Sequence, residues 1–163
     1  MEIKFCKNRI NLIHSFGLSR SSNDYYDIIY VYILDGDIIA RGEAAPSKRY
    51  HESTELILSV LEKGLNVPES SSSKNHLWGF LKPQLKGISS LEAAVNMAVW
   101  DWSAQKEEIP LFNLFGFKDE ILPKTSYTIA IGELNEIDEK LEESEKCSIL
   151  KVKLGTPDKD KEI

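Results

Sequence analysis

The order of apolar and polar positions divides the chain into stretches of different period. From Met1 to Glu43 the pattern alternates and β-forming residues dominate. Ile3, Phe5, Ile10 and Leu12 mark one strand-like stretch, and Ile28, Tyr30, Tyr32 and Leu34 another. Asp35-Gly36, between Ile33-Leu34 and Asp37-Ile38-Ile39, is the best hairpin signal, because a two-residue turn needs left-handed backbone that Asp and Gly tolerate. The segment Ser15 to Asp27 is polar, with Gly17, Ser19, Arg20, Ser21, Ser22 and Asn23, and reads as a long exposed loop. Loops of that length in compact domains are usually functional or disordered.

From Glu52 the period becomes helical. Leu56, Val60 and Leu61 predict an apolar helix face that Gly64 ends, and a serine-rich loop, Ser70 to Ser73, follows. A short helix is expected around His76 to Leu81, stopping before Pro83. The strongest helix begins at Ser89, where Ser89 and Glu92 have capping-box spacing. Leu91, Ala94, Val95, Ala98, Val99 and Trp102 then recur on one face, and Ala93, Ala94 and Ala98 allow a close neighbour. Pro110 opens a last short helix, Leu111 to Phe115, ended by Gly116. A first domain, residues 1–118, is complete at this point.

Residues 119–163 follow another logic. Thr125 to Ile131 is rich in β-formers, Leu134, Ile137 and Leu141 mark an amphipathic helix, and Ser148 to Leu154 is a second strand. Strand, helix and strand in about 30 residues form a βαβ unit, which implies a parallel sheet. Such a sheet needs cover on both faces, so the pattern predicts the opening of a larger structure that these residues do not close.

Composition narrows the function. With 42% hydrophobic and 28% charged residues the chain is of the soluble globular class. The net charge of −6 is spread along the chain and gives no reason to bind nucleic acid or anionic lipid. No run approaches the roughly 20 apolar residues of a membrane span. The start, Met1 to Phe5, reads as a strand without a signal-peptide pattern, so a cytoplasmic location is expected. Cys6 and Cys147 fit no metal spacing and are expected to be free thiols.

Lys151-Val152-Lys153 is the most informative triplet. Strand alternation puts both lysines on one face, and neighbouring ammonium groups disfavour each other's protonation, which suits one of them to act as a base. The plain alternative is an exposed strand with two solvated lysines. The triplet ends a strand after a crossover helix, where barrel active sites gather. Arg20 can hold a carboxylate by a planar two-point contact, and Thr128 can offer its hydroxyl to a ligand. Taken singly, each reads first as an ordinary surface arginine and a strand-forming threonine. His14, His51 and His76 are too scattered for a metal triad, and the acidic run from Glu133 to Glu145 reads as solvated helix surface.

Taken in order, several segments resemble the enolase superfamily, in its muconate-lactonizing branch and most closely its L-Ala-D/L-Glu-type dipeptide epimerases. They are Phe16-Gly17-Leu18-Ser19-Arg20, Arg41-Gly42-Glu43-Ala44-Ala45-Pro46, Arg49-Tyr50-His51-Glu52-Ser53 and the helix Ala93 to Asp101. Pro110 to Gly116, Thr125 to Ile129 and Lys151-Val152-Lys153-Leu154-Gly155 continue the match almost end to end. The resemblance implies an α+β capping domain, residues 1–118, followed by the first βαβ unit of a modified (β/α)7β TIM-type barrel, residues 119–163.

The reaction it implies is removal of a proton α to a carboxylate, with Mg2+ stabilising the enediolate. Lys153 would be one of two acid/base lysines, Lys151 would touch the substrate carboxylate, Arg20 would lie in a loop closing over the substrate, and Thr128 would line the pocket. The metal ligands and the opposing lysine of the family come from later barrel strands. This chain alone is therefore expected to have no metal site and no epimerase activity. The expected partner is a small dipeptide or other carboxylate, with a homo-oligomer possible and no nucleic acid or membrane. Sister enzymes share the lysines: o-succinylbenzoate synthase, N-acylamino-acid racemase and muconate cycloisomerase. A different class also stays open, a short non-catalytic module whose parallel edge at 148–154 a partner covers.

Overall fold

The computed structural model describes residues 1–18, 21–118, 123–131 and 134–155. The elements are β1 (Glu2–Leu18), β2 (Ser21–Asp35), β3 (Ile38–Ala44), α1 (Thr54–Leu61), α2 (Lys74–Leu81) and α3 (Ser89–Lys106). They continue with α4 (Leu111–Leu114), β4 (Tyr127–Ile129), α5 (Leu134–Glu143) and β5 (Leu150–Val152). One compact unit comprises Met1–Arg9 with Asp27–Asp119, the other Ile10–Tyr26 with Glu120–Ile163. Among the described residues no helix is long and apolar enough to cross a membrane.

In the first unit α3 packs on the sheet whose strand order is β1-β2-β3. Leu91, Ala94, Val95, Ala98, Val99 and Trp102, the stripe expected from the sequence, are all buried. The approach to β3 is closest at Gly42, where an added Cβ would stand 1.9 Å from the Ala94 carbonyl oxygen. Only a residue without a side chain fits there. Polar bonds fix the register of helix on hairpin. Trp102 Nε1 donates to Asp35 Oδ2 at 2.9 Å, Arg41 N to Asp101 Oδ2 at 2.8 Å, and Gln105 Nε2 to the Ile39 carbonyl at 3.1 Å. On β2 the fully buried residues are Ile29, Val31 and Ile33, while Tyr30, Tyr32 and Leu34 on the opposite face are half-buried.

Several local expectations are corrected. The polar stretch from Ser15 to Asp27 is not a loop: β1 runs on to Leu18 and β2 begins at Ser21. Polar pairs there take the place of apolar ones. Ser15 Oγ donates to Asp24 Oδ1 at 2.5 Å, and the Arg9 guanidinium grips Asp27 with two bonds of 2.7 and 3.0 Å. The β2–β3 turn falls one residue later than expected, because Asp35 pairs with Ile38 and the central residues are Gly36-Asp37. Gly36 has φ +61° and Asp37 has no positive φ, matching a turn that needs left-handed backbone only at its first central position.

The helix α1 buries Ile57 in place of Leu56, which is 41% exposed. The capping box of α3 does not form. Ile88 is the N-cap and Ser89 already lies inside the first turn. The acceptor comes instead from outside the helix: buried Glu52 presents Oε1 to the Ser90 N–H at 3.4 Å, an anion at the positive end of the helix.

In the second unit β4 and β5 are parallel neighbours joined through α5, the βαβ arrangement expected from the pattern. Ile129 and Ala130 are buried, while Leu150, Val152 and Leu154 are 44%, 58% and 61% exposed. Cys6 and Cys147 are free thiols.

Candidate functional site

The parallel register sets Tyr127 beside Leu150, Thr128 beside Lys151 and Ile129 beside Val152. Lys153 follows the last residue of β5, and its backbone N–H continues the ladder to the Ile129 carbonyl at 2.9 Å. Side chains alternate along strands and neighbours in register share a face. Thr128, Lys151 and Lys153 therefore project from one face, at the C-terminal end of a parallel pair. Lys151 is exposed and Lys153 half-buried. Arg20, the fourth expected site residue, lies outside the described residues.

What this face can do follows from its groups. Two ammonium groups and a hydroxyl on one surface offer donors to a carboxylate, and an amine at a strand end can exchange a proton with a bound carbon acid. A metal is another matter. Among the described residues no three His, Cys, Asp or Glu side chains gather to hold an ion, so these residues do not fit a Mg2+ site.

A second group of polar residues in the same unit escaped the sequence reading. Glu143 accepts from the Tyr127 hydroxyl at Oε2, 2.5 Å, and has His14 Nε2 at 2.9 Å from Oε1. The Tyr127 bond, followed by the His14 bond, holds the Glu143 carboxyl below the usual range, and the same carboxylate raises the Tyr127 phenol. The acidic pattern of α5 predicts solvated charge at Glu143; in the structure this residue ties α5 to β4 and β1. No spacing rule could find this triad, because His14 and Tyr127 are brought together only by tertiary packing. Beside it is a cleft of about 330 Å³, lined by residues 11–15, Tyr127, Thr128, Ala130 and Lys140.

No family model matches the chain. The L-Ala-D/L-amino acid epimerase of Maribacter sp. is 30% identical over 159 residues, 96% of this chain and 46% of that protein. The dipeptide epimerase of Cytophaga hutchinsonii, solved with Mg and the dipeptide D-Ala-L-Val, is 25% identical with a TM-score of 0.79, and the match covers 94% of this chain and 44% of that one. The muconate lactonizing enzyme of Pseudomonas fluorescens is 17% identical with a TM-score of 0.82, over 98% of this chain and 46% of that one, a likeness of fold alone. The chain thus spans about half the length of the curated relatives it matches. Over almost its whole length it is homologous to the N-terminal portion of dipeptide epimerases, with structural neighbours throughout the enolase and muconate-lactonizing family.

Proposed function

We propose that this chain is the N-terminal portion of a cytoplasmic epimerase that removes and returns the proton α to a dipeptide carboxylate. Residues 1–118 act as the capping domain and residues 119–163 open the barrel. The observation that carries the reading is the register of β4 on β5, which sets Thr128 beside Lys151 with Lys153 one step beyond on the same face. Lys153 is the acid/base residue, and its amine takes the α-proton as the C–H electron pair moves toward the carboxylate. Lys151 and Thr128 bind that carboxylate, and Arg20 closes over the substrate. The acid that returns a proton to the opposite face belongs to the part of the relatives this chain does not span. The 163 residues by themselves are expected to be inactive.

The test is made on the protein that carries this chain, with Mg2+ present. Dipeptides of the L-Ala-Glu and Ala-Val kinds are incubated and their epimers separated by chiral chromatography. Interconversion of the epimers supports the reading. Dipeptides left unchanged while muconate or a succinylbenzoate precursor is converted would replace it with one of the sister reactions.

A further inference from the structure

The helix α5 buries an ammonium group whose hydrogen-bonding capacity is unused. The Lys140 side chain is 3% exposed, and among the described residues its Nζ has no hydrogen-bond partner. Its ion pair with Glu136, one turn earlier, is 3.8 Å long, beyond hydrogen-bond range, and Glu136 is itself 42% exposed. Glu143, one turn later, has both oxygens engaged, by Tyr127 and by His14. A buried ammonium whose carboxylate neighbours, Glu136 and Glu143, form no hydrogen bond with it keeps unused donors that a bound anion can take up.

Lys140 lines the 330 Å³ cleft, which is large enough for a small organic molecule. The other walls decide which anion fits. Asn11 and Thr128 can donate further hydrogen bonds, while Ser15 already donates to Asp24 and His14 and Tyr127 are held by Glu143. Leu12 and Ala130 are apolar, and Ile13 at the rim is 91% exposed. One cation with neutral donors and apolar walls suits a monoanion with a hydrocarbon substituent better than a dianionic phosphate.

We propose that this cleft binds a small aliphatic carboxylate, with Lys140 as its counter-ion. Carboxylate oxygens accept from the ammonium, and the hydrocarbon end lies against Leu12 and Ala130. Neither Lys151 nor Lys153 lines the cleft, which shares only Thr128 with the face of the proposed function, and its test needs no turnover.

The test is a titration of the isotope-labelled protein that carries this chain with sodium propionate, followed by amide NMR, with sodium chloride at matched ionic strength and sodium phosphate as controls. Propionate is expected to give saturable shifts at residues 11–15 and 127–130 that neither control reproduces. Lys140→Met should weaken propionate at least about tenfold, the loss of one charge-assisted hydrogen bond. Glu136→Gln, an exposed change that removes the competing carboxylate, should tighten it, and serves if Lys140→Met does not fold. Absent shifts, equal shifts with chloride, tighter binding of phosphate, unchanged affinity in Lys140→Met, or no tightening in Glu136→Gln would each overturn the proposal.

Discussion

In the first unit a long helix lies on a three-stranded sheet, and their contact is so close that a methyl group at Gly42 would collide with the Ala94 carbonyl. In the second unit two short parallel strands pair correctly, yet Leu150, Val152 and Leu154 stand largely in solvent. Both units obey their local patterns. They differ in whether the apolar face so formed has something to cover it. Antiparallel sheet needs cover on one face only, and α3 supplies it; parallel sheet needs cover on both. A sequence can therefore specify an element well without supplying its surroundings, and the candidate lysines sit on the element of that second kind.

Substitutions can break this contrast. Gly42→Ala should cost the first unit about 3 kcal/mol or more, because backbone opposes the new methyl and neither β3 nor α3 can yield cheaply. Val152→Ser, on the exposed strand, should change stability by less than about 0.5 kcal/mol. Urea denaturation of both variants checks the pair, and a large loss at Val152 with a small one at Gly42 would invert the comparison. Next in size is Ser53→Ala. Ser53 accepts from the Leu56 N–H as the N-cap of α1, and its loss should cost about 1 kcal/mol in the same measurement.

The smallest effect sharpens the contrast through pH. In each unit a glutamate is held below its ordinary value of 4.5, and Asp27 of the first unit is lowered too, by its bond to Arg9. At the start of α1, Glu55 is brought to about 2 by its own backbone N–H, then by Thr54, Ser53 and Lys7. In the second unit Glu143 is lowered first by Tyr127 and then by His14. A depressed carboxyl stabilises the fold above its unfolded pKa, and that stability is lost as pH falls through the folded value. Both contributions should thus be present at pH 5 and disappear below 4.5, Glu55's only as pH approaches 2. Tyr127→Phe should reduce the acid loss at the second unit and leave Glu55 unaffected. NMR titration of the two carboxyls checks this, and a Glu143 carboxyl depressed as far in Tyr127→Phe as in wild type would remove Tyr127 as the leading cause.

The parts legible in the sequence are those set by local period. The α3 stripe is buried as its spacing demands, and the βαβ order follows from strand, helix and strand patterns. Where both faces of an element are apolar, as on β2, period alone could not choose between Ile29-Val31-Ile33 and Tyr30-Tyr32-Leu34. Polar cross-strand pairs such as Arg9 with Asp27 defeated the reading of residues 15–27, because a two-stranded ribbon held by polar pairs looks like a loop. Ser89 has the spacing of a cap, yet Glu52 supplies the acceptor, to the Ser90 N–H 38 residues along the chain. At the site, Thr128, Lys151 and Lys153 could be named from strand alternation and resemblance. The Glu143 triad and buried Lys140 could not, since only packing of residues 11–15 against the βαβ unit creates them.

The most direct test of the central claim is α-proton exchange, followed by proton NMR as a dipeptide is incubated in D2O with the protein that carries this chain, in wild-type and Lys153→Ala forms. The account predicts that wild type washes out the α-proton signal and that the variant does so about 10²–10⁴-fold more slowly, the usual contribution of a positioned base. A Lys153→Ala protein that exchanges at the wild-type rate would contradict it.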